Sequence, residues 1–184
     1  RNCGDCIDAL EKLVGPEPLT GSRLKRPGQL IAGSTTLNPG GRPIEVLHFG
    51  ASQQPGSLTV FDPESGLLYA GGLASFDVVP DARDADLTAW RAALTELRKL
   101  PLSWAIPGRG PAAKPERLDG VAEYLASLQQ QTRRAYDEGA SLGEATNRIT
   151  LRQFKDWAGY EPTHRRNVNA EYLRLEAREL GQKD

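Results

Sequence analysis

Apolar positions in this chain change their spacing several times, and each change marks the edge of a predicted element. Near the start, Ile7, Leu10, Leu13 and Val14 recur three and four residues apart, the period of a helix with one apolar face, until Gly15 and Pro16 stop it. The spacing then shortens to that of extended chain. Segments 30–37 and 44–49 read as strands on either side of Asn38-Pro39-Gly40-Gly41. Segments 57–61 and 67–71 form a second hairpin across Asp62-Pro63-Glu64-Ser65-Gly66, whose Pro and Gly supply the turn geometry. From Asp86, a good capping residue, Leu87, Trp90, Leu94 and Leu97 return to helical spacing as far as Pro101. A buried strand over 104–107 follows directly. Leu118, Val121, Leu125, Leu128, Thr132 and Ala135 form the stripe of a longer helix, opened by Pro115 and closed by Gly139. Ser141 and Glu144 are spaced as a capping box for a short helix, and Val168, Tyr172 and Leu175 mark a last one with a charged opposite face.

This order describes an α/β protein. Its 184 residues, 39% of them hydrophobic, suffice for one compact domain and are too few for two full ones. A net charge of -1, from 23 basic and 24 acidic residues, gives no pull toward nucleic acid or an anionic membrane. Arg133-Arg134 and Arg165-Arg166 are too dispersed to make a nucleic-acid stripe. No apolar run approaches the roughly 18 residues of a membrane span, and none resembles a signal peptide. The chain begins at Arg1 and contains no methionine, so the expectation is that a leader or a longer segment precedes it.

The reactive side chains are few. Cys3 and Cys6 form one C-x-x-C pair at the start of a helix, which fits a local disulfide in an oxidising compartment or two free thiols in a reducing one. Redox exchange there would call for a strand and a cis-proline context that the sequence does not supply, and zinc would need two further ligands. His48 shares a strand face with Ile44 and Val46 and reads as a packed or hydrogen-bonded histidine; His164, beside Arg165 and Arg166, reads as part of a solvated basic turn before the last helix. Ser52, Ser57 and Ser75 are candidate nucleophiles, yet no G-x-S-x-G elbow occurs and His48 is the one histidine placed to serve as base.

Taken together, Gln53-Gln54-Pro55-Gly56-Ser57-Leu58-Thr59-Val60, the ending Tyr69-Ala70-Gly71-Gly72-Leu73, the helix at Trp90 and the turn Pro107-Gly108-Arg109-Gly110-Pro111 resemble the second half of a metallo-β-lactamase-fold hydrolase. The ending Arg166-Asn167-Val168-Asn169-Ala170-Glu171-Tyr172 with Leu175-Glu176 is similar to one branch, the quinoprotein relay system zinc metallohydrolases of the bacterial periplasm. The resemblance implies a half or truncated αββα sandwich, with 1–136 as the hydrolase-like second half and 137–184 as a C-terminal helical extension. It also implies a periplasmic address.

Such hydrolases hold zinc through an H-x-H-x-D-H motif in the first half and a histidine, a bridging aspartate and a last histidine in the second. The first motif has no counterpart here. At the positions that match the second set, this chain has Gln53 for histidine, Gly72 for aspartate and Arg109 for histidine. A guanidinium stays protonated and cannot ligate a metal. Held about 4 Å from a dication, it would cost several kcal/mol at an effective dielectric of about 20. The expectation is therefore a non-catalytic relative with a degenerate pocket of Gln53, Ser57, Gly72, Asp77 and Arg109, no metal, and a binding or assembly role. Arg109 would either hold a small anionic ligand or pair with a neighbour such as Asp77. The alternative is a zinc hydrolase whose first motif lies in a missing N-terminal segment. A half sandwich would also leave apolar sheet residues such as Leu47, Phe49, Leu58 and Val60 partly uncovered, for the missing half or a second copy in a homodimer to cover.

Overall fold

The computed structural model describes residues 3–23, 25 and 28–181, with side chains from residue 7 onward. Two compact units divide at Ile31 and Ala32. The first holds helix α1 (Cys3–Val14) and a 3-10 turn (Glu17–Leu19). Gly15, with φ near +79°, follows the helix as expected of a helix-stopping glycine. The side chains of Cys3 and Cys6, the candidate disulfide or free thiol pair, lie outside the described residues.

The second unit is built on five strands in sequential order: β1 (Thr35–Leu37), β2 (Ile44–His48), β3 (Leu58–Asp62), β4 (Leu67–Ser75) and β5 (Trp104–Arg109). The first three pairings are antiparallel and the last is parallel. A parallel neighbour needs a crossover, which α2 (Leu87–Leu97) supplies. Asp86 caps it, its carboxylate accepting from the Ala89 N–H at 2.9 Å. Helix α3 (Arg117–Asp137) follows β5; α4 (Leu142–Arg148) opens with the expected reciprocal Ser141–Glu144 capping box. Helix α5 (Tyr160–Glu179) packs against both α3 and α4.

Strand register assigns the faces. Phe61 pairs with Leu68, and Leu68 with Ala105, so these three share the face that packs under α2 and α3 with the fully buried Trp90, Leu94, Leu125 and Leu128. Trp90 also donates its indole N–H to the Leu73 carbonyl at 3.0 Å, tying α2 to the end of β4. The opposite face carries Leu58, Val60, Tyr69, Trp104 and Ile106, of which Leu58, Tyr69 and Trp104 are exposed. One expectation is corrected here. Leu47 lies opposite the buried Thr59, and both Leu47 and Phe49 pack against the helix-covered core, so only Leu58 and Val60 of the four residues face outward.

Element edges differ from the pattern for local reasons. The strand expected over 30–37 is reduced to Thr35–Leu37, because the Ser34 hydroxyl accepts the His48 backbone N–H at 3.0 Å where a ladder carbonyl would stand. Strand β4 runs on to Ser75 and β5 to Arg109, lengthened by their parallel pairing. That seam is tight. A Cβ on Gly108 would lie 2.6 Å from the Gly71 carbonyl oxygen, and one on Gly110 would lie 2.0 Å from that of Phe76.

The second correction concerns His164, which is 3% exposed and inside α5. Asn167 Nδ2 donates to the Tyr124 hydroxyl (2.9 Å) and to the Pro80 carbonyl (2.8 Å), while its Oδ1 accepts from Ala82 N–H (2.9 Å). With its oxygen already accepting, the Tyr124 hydroxyl donates to His164 Nδ1 at 3.1 Å, leaving Nε2–H to donate to the Ile149 carbonyl at 3.2 Å. The imidazole is therefore neutral, and burial pushes its pKa below the ordinary histidine value. The expected solvated turn is replaced by a buried position, and these five bonds explain how a histidine is accommodated in the core.

Two outcomes follow. Gly110 and Gly139 both have positive φ, but nothing lies within 4 Å of a Cβ on Gly139. Gly139→Ala should cost about 1 kcal/mol for the left-handed backbone alone, and Gly110→Ala should exceed it by about 2 kcal/mol or more, because backbone must move; equal urea midpoints would refute the tight seam. For His164, the unfolded chain takes up a proton near pH 6.5 that the native state resists. Stability should be full above that value and fall as pH drops below it, and His164→Gln should flatten the change in urea midpoint between about pH 7.5 and 5.5. An equally steep change in the variant would show that another group is responsible.

Candidate functional site

The end of β4, the end of β5 and two loops enclose a cavity of about 240 Å³. Gln53 enters it from the loop between β2 and β3, Gly71, Gly72, Ala74 and Ser75 line it from β4, Pro80 and Asp81 from the segment after β4, and Gly108 and Arg109 from β5. Three of the sequence-derived residues, Gln53, Gly72 and Arg109, thus meet in one place. Two do not. Ser57 sits in the turn before β3, its hydroxyl accepting from Gln54 N–H at 3.2 Å, and Asp77 pairs with Arg117.

Gln53 and Gly72 fit each other. A Cβ on Gly72 would stand 2.6 Å from Gln53 Oε1, so the amide of one fills the volume in which the other has no side chain. Gln53 Nε2 reaches the Asp81 carbonyl at 3.5 Å, a long contact that leaves its donors able to turn toward a guest.

Asp81 is the acidic residue that the sequence pattern did not single out. It follows Pro80 in an irregular segment that α5 holds through Asn167 on Pro80 and Ala82 and through Arg174 on the Ala82 and Arg83 carbonyls. Arg83 holds both of its carboxylate oxygens at 2.7–3.1 Å, and this fork lowers its pKa, with a smaller contribution from Arg166. Arg109 is differently placed. The expected partner Asp77 is taken by Arg117, and among the described residues the Arg109 guanidinium meets no carboxylate. Its backbone carbonyl accepts from Phe76 N–H at 3.0 Å, which fixes the strand while leaving the side chain exposed.

As a zinc site the arrangement does not fit. Zinc takes imidazole, thiolate or carboxylate donors in a near-tetrahedral set. The cavity offers one carboxylate already forked by an arginine, one neutral amide and a fixed cation. Among the described residues no group of three His, Cys, Asp or Glu side chains converges anywhere. Among the described residues no histidine ring is hydrogen-bonded to a serine: the Ser75 hydroxyl is bonded to the Val78 carbonyl at 2.7 Å, and the buried Ser52 hydroxyl has no protein partner.

No protein-family model matches the chain, and no curated protein matches it in sequence. Solved structures do match. A metallo-beta-lactamase from Pontibacter korlensis superposes with a TM-score of 0.51 at 21% identity, over 65% of this chain and 62% of its own. The stereoselective inverting sec-alkylsulfatase Pisa1 from Pseudomonas sp. gives a TM-score of 0.66 at 17% identity, over 82% of this chain and 27% of the sulfatase. The chain therefore spans less than two thirds of either neighbour. With one mixed sheet, helices on one of its faces and these matches, the chain has the metallo-β-lactamase fold.

Proposed function

We propose that this chain is a non-catalytic protein of the metallo-β-lactamase fold that binds a small oxyanion at Arg109. The observation that carries the reading is a guanidinium lining a cavity with no carboxylate to neutralise it, while the nearby acids, Asp77 and Asp81, are engaged by Arg117 and Arg83. An arginine grips carboxylate, phosphate or sulfate through parallel N–H bonds, and the Gln53 amide adds a neutral donor in the same cavity. A volume near 240 Å³ suits an inorganic oxyanion or a short acid.

The same charge supports the loss of metal chemistry. A permanent cation among the positions that resemble zinc ligands repels a dication at short range, and Gly72 supplies no bridging donor. Hydrolysis through a metal-bound hydroxide then has no nucleophile on these residues. An assembly role is supported by the apolar outer sheet face at Leu58, Tyr69 and Trp104, which a further layer, from an N-terminal half or a second copy, would cover. The similarity of the ending at Arg166 to Tyr172 to periplasmic relay hydrolases supports a periplasmic address.

The reading is tested by isothermal titration with phosphate, sulfate and acetate, together with elemental analysis for zinc. At least one oxyanion should bind, and Arg109→Ala should weaken it about ten-fold or more, the loss of a charge-assisted bond. Neither the native chain nor Arg109→His should hold stoichiometric zinc. Zinc in either protein, or oxyanion binding unchanged in Arg109→Ala, would refute the proposed site.

A further inference from the structure

A second cavity, larger than the first, opens between α4, α5 and the segment after β4, with a volume of about 580 Å³. Arg83, Arg165, Arg166 and Arg174 line it with Thr146, Asn169, Ala170 and Leu173, and none of these side chains is acidic. In a chain of net charge -1, four arginines around one concavity need an explanation.

Two of them are committed. Arg83 forks Asp81, and Arg174 bonds Glu171 and the carbonyls of Ala82 and Arg83. The other two are not. Arg165 donates to the neutral Asn147 side chain at 2.8 Å and Arg166 to the Thr163 hydroxyl at 3.3 Å; among the described residues neither meets a carboxylate. Elsewhere on the surface Arg98, Arg133, Arg134 and Arg148 all do. The cavity thus holds two guanidinium groups that form no ion pair among the described residues, adjacent in sequence on the first half of α5; Arg166 acts on Asp81 only at longer range.

Its other wall is apolar. Helical spacing puts Ala170 one turn after Arg166, and Asn169 and Leu173 one and two turns after Arg165. Leu173 is 45% exposed, an aliphatic side chain left in solvent beside the cationic pair. The methylene stems of the arginines extend the same apolar surface. A head-binding end and a hydrocarbon-covering floor lie side by side within a volume typical of small-molecule sites.

We infer that this cavity binds an amphiphilic organic oxyanion, its phosphate-, sulfate- or carboxylate-type head held by Arg165 and Arg166 and its short hydrocarbon body lying over Ala170 and Leu173. The site is separate from the Arg109 cavity, with which it shares no lining residue. The two are neighbours through Asp81, which lines the first and is forked by an arginine that lines the second.

The experiment uses the Arg109→Ala variant, so that the first cavity contributes no anion binding, and titrates it calorimetrically with hexyl phosphate, inorganic phosphate and hexanol. Hexyl phosphate should bind at one site per chain, about ten-fold or more tighter than inorganic phosphate, with hexanol weaker than hexyl phosphate by a similar factor. Adding Arg165→Ala and Arg166→Ala should weaken hexyl phosphate about ten-fold or more. Leu173→Asp should bring hexyl phosphate down to the affinity of inorganic phosphate or below. All of these side chains lie on the helix surface, and circular dichroism confirms the fold of each variant; Leu173→Asp gives an independent arm should the double substitution fail to fold. No binding of hexyl phosphate, equal affinities for the alkyl and inorganic ions, or indifference to both sets of substitutions would overturn the assignment. Binding to the native chain that disappears with Arg109→Ala alone would overturn it too, by placing the ligand in the other cavity.

Discussion

The parallel seam between β4 and β5 closes because glycines let one backbone lie directly on the other. Gly108 faces the Gly71 carbonyl, and Gly110 faces that of Phe76, at separations that leave no room for a Cβ. This contact brings Gly72 and Arg109 to one small cavity. Trp90 secures the seam from the helix side through the Leu73 carbonyl, and the core beneath it is continuous from Phe61 to Val168. A bulkier residue at the seam would separate the strands and with them the two walls of the site.

A second constraint acts from the far side of the fold. Asn167 reaches across 87 residues of sequence to hold Pro80, and with Ala82 this fixes the loop that carries Asp81. The same asparagine donates to Tyr124, which completes the hydrogen bonding of His164. Each member of this network satisfies the next, so the polar groups rest in the core without charge. The helices after α3 are thereby tied to the irregular segment that shapes the cavity.

Charge placement decides what the surface offers to solutes. Most arginines meet a carboxylate close at hand, and such exposed pairs contribute little to stability. Their consequence is electrostatic: where a partner is missing, the cation remains available. Arg109 in one cavity and Arg165 and Arg166 in the next are cations of that kind among the described residues. Both proposed sites rest on the same Coulombic preference of a cationic pocket for anions.

Periodicity alone determined the α/β class, the two hairpins, the Asp86 and Ser141 caps and the burial stripes of α2 and α3, because these depend on spacing and turn chemistry within a few residues. Gln53, Gly72 and Arg109 were legible as a set through the resemblance, and the structure brings the three to one cavity. The interior place of His164, the outward side of Leu58 against the inward side of Leu47, and the loss of Asp77 to Arg117 were not legible. Each is settled by a partner far along the chain: Tyr124 for the imidazole, the β2–β3 register for the leucines, a helix start for the aspartate. Asp81 shows the limit most clearly. Nothing around it in sequence marks it, and hydrogen bonds from Asn167 and Arg174 of α5 hold the segment that carries it, because long-range contacts form from shape and satisfied polarity rather than from local pattern.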